Sequence, residues 1–362
     1  MERDINHSKG SSEGALSKSD VALDTLMKNF SQKEENIIVF FVPSMDMING
    51  GVLSIFSLYE ESRRLTRVHG CKVLMCTMPT EPIILKYTRF KNEVPIYPFE
   101  IIPNYFLKLE KCILHIPECF TQNFIKYMDQ GYMDYLTNIS DLQINILNQN
   151  ILLMPGEDVI NQLRKLTMNI TCTTAHERYT NKEYKESLGI PLHKFSTFVS
   201  PEQYKYIDFM NKEDLLIVSS DWHPLRTTII NTIKQAFPAM NVFIVQNITF
   251  EEYKELISRA KWALTFGEGL DGYFIETVFS GGISFAVYNE VFFTPDFKDL
   301  KTVYSDYQYL INQICHDLKA LDNKDNFKQY QEEQLSLLQK YYDYKEYVKN
   351  IESFYKKDYT FK

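Results

Sequence analysis

Glu268 and Glu276 stand with seven residues between them in the string Phe266-Gly267-Glu268-Gly269-Leu270-Asp271-Gly272-Tyr273-Phe274-Ile275-Glu276, which runs on to Ser280-Gly281-Gly282. Apolar runs of strand length and composition flank it at 262–266 and 283–288. Between them the sequence predicts a glycine-rich loop and then about two turns of helix. A strand-to-helix turn leaves backbone N–H groups pointing outward, and α/β proteins bind anionic ligands there. The chemistry on offer is recognition of a phosphorylated, diol-bearing ligand. The N–H groups of Gly269, Leu270, Asp271 and Gly272 would cradle phosphates. Glu276 would accept two hydrogen bonds from a vicinal diol such as a ribose, and Glu268 would do the same for sugar hydroxyls nearer a reacting centre. Acids near a helix start also occur for the dipole alone, so the pair gains meaning only from its surroundings.

Those surroundings read as two successive α/β units. Residues 37–42 form a continuous apolar run suited to a strand buried on both faces. Gly50 and Gly51 follow, then a helix over 52–68 ended by Gly70, and a strand over 71–77. The pattern continues with a strand at 112–116, a helix at 118–128, a strand or short apolar run at 151–154, a helix at 157–166, a strand at 169–174 and a helix at 183–188. A second unit follows, with strands at 214–219, 241–245, 262–266 and 283–288 and helices at 226–236, 249–259 and 273–280. The alternation implies parallel sheets. The expected organisation is a disordered polar arm over 1–35 (with a short helix near 21–30), one domain over 36–204, a second over 205–325, and C-terminal helices over 326–362. The domain boundary is placed between Ser200 and Asp214.

Composition narrows the function. The chain has 362 residues, 44% hydrophobic and 24% charged, which is globular and long enough for two cores. A net charge of −8 argues against nucleic acid as a partner. The six cysteines form no Cys-x-x-Cys pair and no zinc-type spacing with histidine, so buried thiols in a reducing compartment are expected, and no metal. No apolar run reaches membrane-spanning length, and the polar N-terminal stretch lacks a signal-peptide core. A cytoplasmic location is the expectation.

The fuller string, with Glu268-Gly269, Gly272, Glu276 and Ser280-Gly281-Gly282 before a strand, resembles the acidic signature of family-4-type glycosyltransferases of the GT-B fold. Their usual form is Glu-Gly-Phe-Gly-Leu-Pro-x-x-Glu-Ala-x-x-x-Gly-x-Pro-Val. Here Leu270 and Asp271 replace the Phe-Gly pair, while both glutamates keep the spacing. The resemblance implies two Rossmann-like domains facing a central cleft, C-terminal helices that cross back, and metal-independent transfer with retention. The donor would be a nucleotide sugar. The acceptor would be a glycan or lipid-linked glycan of bacterial surface type, with peripheral contact to the inner face of a membrane. It also implies that Glu276 binds the donor ribose and Glu268 faces the donor sugar.

Three further segments are read beside that family. Ser219 to Arg226 follows the first strand of the second unit, where the family carries Gly-Arg and, five residues later, a lysine that clamp the diphosphate. Asp221 stands at the arginine position and Arg226 at the lysine position, so Arg226 is expected to neutralise the leaving diphosphate, with His223 as an alternative donor. Asn49-Gly50-Gly51 matches the acceptor-side glycine loop, although a tight turn explains it equally well. His176, in Thr173-Thr174-Ala175-His176, matches a histidine that reaches toward the donor sugar. His115 lies among apolar residues and reads as a core histidine. The C-terminal tyrosines and lysines read as a helix packing across both domains in preference to a membrane-surface helix. Alternatives to a transferase are a degenerate scaffold subunit, for which Asp221 and Leu270-Asp271 are the support, and a nucleotide-sugar epimerase. A nicotinamide dehydrogenase is disfavoured because the Gly50-Gly51 fingerprint is incomplete.

Overall fold

The computed structural model describes residues 16–47, 49–88, 93–195 and 203–362. Among the described residues, twelve strands form two sheets. The first contains β1 (Asn36–Val42), β2 (Lys72–Thr77), β3 (Tyr97–Pro98), β4 (Lys111–Pro117), β5 (Asp141–Asn148), β6 (Ile170–Thr174) and β7 (Leu192–Lys194). Its order is β3-β2-β1-β4-β5-β6-β7. The second contains β8 (Glu213–Val218), β9 (Asn241–Ile244), β10 (Ala260–Leu264), β11 (Ile283–Val287) and β12 (Val303–Tyr304), in the order β12-β11-β10-β8-β9. All pairings between these strands are parallel. Parallel strands are covered by helices on both faces, and accordingly every residue from Ile37 to Val42 is buried.

Each strand order reverses once. In the first sheet the reversal lies between β1 and β4, and in the second between β8 and β10. Such switch points open a crevice at the carboxyl ends of the strands, where open α/β sheets bind ligands. Gly50 and Gly51 follow β1 and Glu118 follows β4. Asp221 follows β8 and the Glu268–Glu276 string follows β10. All four chain segments therefore leave their strands at a switch-point crevice.

Several elements differ from the expectations. The run at 151–154 is a 3₁₀ turn, Ile151–Leu153, just beyond the unanticipated strand β5. Gly50 and Gly51 are the first residues of the helix Gly50–Arg64, capped by Asn49, whose Oδ1 accepts from Val52 N–H at 2.8 Å. Within the stretch read as a polar arm, the helix Lys18–Asn29 has a capping box at Ser17 and Asp20 and buries Ala22 and Leu26. Residues 1–15 of that arm, and 196–202 near the expected domain boundary, lie outside the described residues.

The C-terminal helices divide between the two sheets. Lys324–Gln339 packs on the second, where Gln334 Nε2 donates to Ser284 O and Thr302 Oγ1, both at 2.8 Å. Tyr344–Tyr355 returns to the first, where Tyr355 Oη lies 2.6 Å from Ser62 Oγ and 3.2 Å from His115 Nε2. His115 is fully buried and stacked on Phe40, and burial lowers its pKa to about 3, so it is a neutral core side chain. Among the described residues no helix is long and apolar enough to cross a membrane.

Candidate functional site

Both switch points open onto one cleft, a cavity of about 870 Å³ between the sheets. Gly50, Gly51 and His176 line it from the first domain; Glu268, Leu270, Asp271, Gly272 and Glu276 line it from the second. The sequence thus identified residues from both walls.

On the second wall, the helix Gly272–Phe279 starts at Asp271, whose Oδ1 accepts from Phe274 N–H at 3.1 Å. The N–H groups of Gly272 and Tyr273 precede the helix's own hydrogen bonds, and both residues line the cleft. Gly269 has a different task from phosphate cradling. Its φ is +79°, and a Cβ there would come within 2.7 Å of the Phe293 ring and 2.9 Å of Val287 O, so it shapes the loop by close packing outside the cleft lining.

Glu276 points back along its helix toward Gly272 and is 7% exposed. Burial pushes its pKa up to about 7, and the Tyr253 and Tyr204 hydroxyls beside it oppose that rise. The Tyr253 hydroxyl is buried without a hydrogen-bond partner of good geometry. A carboxyl and a phenol thus face the cavity with capacity to spare, which suits a ligand diol. Glu268 is raised to about 7 by burial first, then by the Asp221 and Glu118 carboxylates. Burial also pushes Asp271 well above the ordinary range.

On the first wall, His176 Nε2 lies 2.5 Å from Gln149 O. A carbonyl only accepts, so Nε2 carries the proton and Nδ1 is left as an acceptor. Burial lowers the His176 pKa, which keeps the ring neutral. The ring meets Phe292 of the second domain edge-on at 5.6 Å. A Cβ on Gly51 would stand 2.8 Å from Gln149 Oε1, the end of a flexible side chain, so a larger residue there would displace the Gln149 amide.

Two expected residues lie elsewhere. Arg226 is absent from the cleft lining; its guanidinium donates to Ser220 O at 2.7 Å and Asp221 O at 2.8 Å. It bridges carbonyls of its own turn, so the expected diphosphate clamp is not in place. His223 is stacked on Tyr307 at 3.6 Å, also away from the lining. Among the described residues lining the cleft, Lys194 is the single cation, and it is ion-paired with Glu177. Six carboxyl side chains share the lining with it: Glu118, Glu177, Asp221, Glu268, Asp271 and Glu276. Among the described residues no group of three or more His, Cys, Asp or Glu side chains is arranged to hold a metal ion. Arg226→Ala should therefore change ligand affinity less than threefold, and lower stability by about 1 kcal/mol through the lost carbonyl bonds. Calorimetry and thermal melts check both.

Sequence reasoning missed Glu118, Gln149, Asn150, Tyr253 and Lys194, all in the lining. Glu118 had a usable signal, an acid directly after an apolar strand.

No protein-family model matches the sequence, and no curated protein matches it. Solved structures do share its fold. A sucrose-phosphate synthase from Thermosynechococcus elongatus superposes with a TM-score of 0.56 at 12% identity, covering 89% of this chain and 98% of that one. The Anabaena protein HepE in complex with UDP-glucose gives 0.57 at 9% identity, with the same coverage. An E. coli trehalose-6-phosphate structure bound with UDP-2-fluoro glucose gives 0.51 at 8% identity, covering 90% of this chain and 99% of that one. The chain has the GT-B fold, two parallel α/β domains around a cleft, as the sequence implied.

Proposed function

We propose that this protein is a glycosyltransferase, moving a hexose from a nucleoside-diphosphate donor to a hydroxyl of a glycan or lipid-linked acceptor, with retention and without a resident metal. The observation that carries the reading is the placement of Glu268 and Glu276 on one loop and helix, both facing the interdomain cleft. Likeness to structures that hold UDP-glucose and UDP-2-fluoro glucose supports it. Glu276 and Tyr253 receive the ribose diol, and Glu268 accepts from hydroxyls of the sugar.

In the proposed step the bond from the anomeric carbon to the diphosphate oxygen breaks as the bond to the acceptor oxygen forms on the same face. The acceptor proton passes to the departing diphosphate. Charge grows on that group, and the N–H groups of Gly272 and Tyr273, aligned with the helix dipole, stabilise it. His176, neutral and fixed by Gln149, positions the sugar. With Arg226 turned away, backbone N–H groups carry more of this task than in the family resembled. A cytoplasmic location and peripheral contact with the inner face of a membrane belong to the same proposal.

A second reading has one observation in its favour. The cleft lining bears six carboxyls against one paired ammonium, which fits a scaffold subunit that has given up diphosphate binding. A thermal-shift screen with UDP-, GDP- and TDP-glucose and GDP-mannose separates the two. A ligand at a hundred times its dissociation constant adds about 2.7 kcal/mol, so a transferase shows a rise with at least one donor. No rise with any at millimolar concentration would favour the scaffold.

A further inference from the structure

We propose that Asn150 is a positioning residue through which the first domain holds the Glu268 carboxyl in place across the cleft; the assignment rests on the donor-binding reading of that carboxyl. Asn150 stands just beyond the end of β5, and its amide has one orientation that satisfies its neighbours. Oδ1 accepts from Leu152 N–H at 3.0 Å, which leaves Nδ2 to donate to Glu268 Oε1 at 3.4 Å. This hydrogen bond crosses from one domain to the other.

The corner that carries it is built from committed polar groups. The two oxygens of Glu118, a side chain only 5% exposed, accept separately from Gln149 N–H at 3.1 Å and Asn150 N–H at 2.9 Å. Gln149 O receives His176 Nε2–H, and Gln149 Nε2 donates to Gly51 O at 3.0 Å. Asn150 O receives Asn148 Nδ2 at 3.1 Å. Burying a carboxylate is costly unless it is hydrogen-bonded, and Glu118 spends both oxygens on this dipeptide. It is therefore a brace for the corner and not a proton carrier.

The charged groups around Glu268 are the Asp221 and Asp271 carboxyls of its own domain and Glu118 of the first; Asp221 and Glu118 disfavour its ionised form. The Asn150 amide works in the opposite sense. It stabilises the carboxylate, the form that accepts hydrogen bonds from sugar hydroxyls. A bond of 3.4 Å is long, and such contacts tighten when the ligand-bound site closes.

The test is titration of the Glu268 carboxyl by carbon-13 NMR on glutamate-labelled protein, with the resonance assigned by Glu268→Gln. Asn150→Ala is expected to raise the midpoint by about half a pH unit or more. Asn150→Ser keeps an acceptor for Leu152 N–H but is too short to reach Glu268 and adds no charge, so its midpoint rises as far as in Asn150→Ala. If Asn150→Ala melts early, Asn150→Ser reads the same quantity in a folded corner. Midpoints within about 0.2 unit of wild type in the folded variants overturn the proposal. In parallel, UDP-glucose turnover should show kcat lowered about tenfold with KM within about threefold. A wild type that neither binds nor turns over a nucleotide sugar sinks the donor reading, while the titration still decides the role of Asn150.

Discussion

Glu276→Gln should raise the melting temperature of the ligand-free protein at pH 8 and leave it unchanged at pH 4. Glu276 is almost wholly buried, and burial moves its pKa from 4.5 to about 7. Between those values the native state keeps a proton that the unfolded chain has released. The stability tied to this group is therefore complete below pH 4.5 and is lost as pH rises through about 7. At pH 8 the ionised carboxylate costs the fold on the order of 3 kcal/mol, which the neutral, isosteric glutamine does not incur. Thermal melts of both proteins across pH 4 to 8 measure it. A difference that does not grow with pH would contradict the burial argument. Retention of such a group is understandable if a ligand diol adds hydrogen bonds to those of the Tyr253 and Tyr204 hydroxyls, since binding sites are commonly less stable than they could be.

The second large effect concerns Glu268. Glu268→Gln preserves shape and the contact from Asn150 Nδ2, but it removes a charge that the site raises to a pKa of about 7 through burial and then through Asp221 and Glu118. If the carboxylate accepts from the sugar as the anomeric bond breaks, wild-type kcat rises with pH through about 7 and levels off. The variant loses on the order of 10²-fold in kcat, keeps donor affinity within a few-fold, and shows a flat profile over that range. Steady-state rates between pH 5.5 and 8.5 check this. Wild-type kcat in the variant would remove Glu268 from the reacting centre.

Much of this arrangement was legible from residue patterns. The helices Arg226–Ala236 and Phe250–Arg259 lie within a residue of the ranges 226–236 and 249–259 read from the sequence. The glycine-rich loop after β10 was readable because glycines and acids cluster between two apolar runs. β5 was hidden by its own chemistry. Gln143 and Asn145 alternate with Leu142, Ile144 and Ile146, so the strand does not read as the continuous apolar run expected of a buried parallel strand. Those polar side chains are satisfied inside the fold. Asn145 Nδ2 reaches His115 and Thr173, and Gln143 Nε2 reaches Thr171 and Tyr359. The partners are up to 216 residues away along the chain, beyond any local pattern.

Arg226 illustrates the opposite difficulty. Its distance along the chain from Asp221 suited a clamp, but spacing carries no direction, and the turn offers its guanidinium two nearby carbonyls. The Gln149–Asn150 corner had no sequence signature, because its geometry is set by Glu118, more than thirty residues earlier.

The central claim, that the Glu268–Glu276 segment grips a nucleotide sugar, is tested most directly by calorimetric titration of wild type and Glu276→Ala with UDP-glucose, GDP-mannose and TDP-glucose at pH 8. The account predicts saturable, one-to-one binding of at least one donor by wild type and a loss of on the order of 100-fold in affinity in the variant. No binding of any donor up to millimolar concentration, or equal affinity in the two proteins, would contradict it.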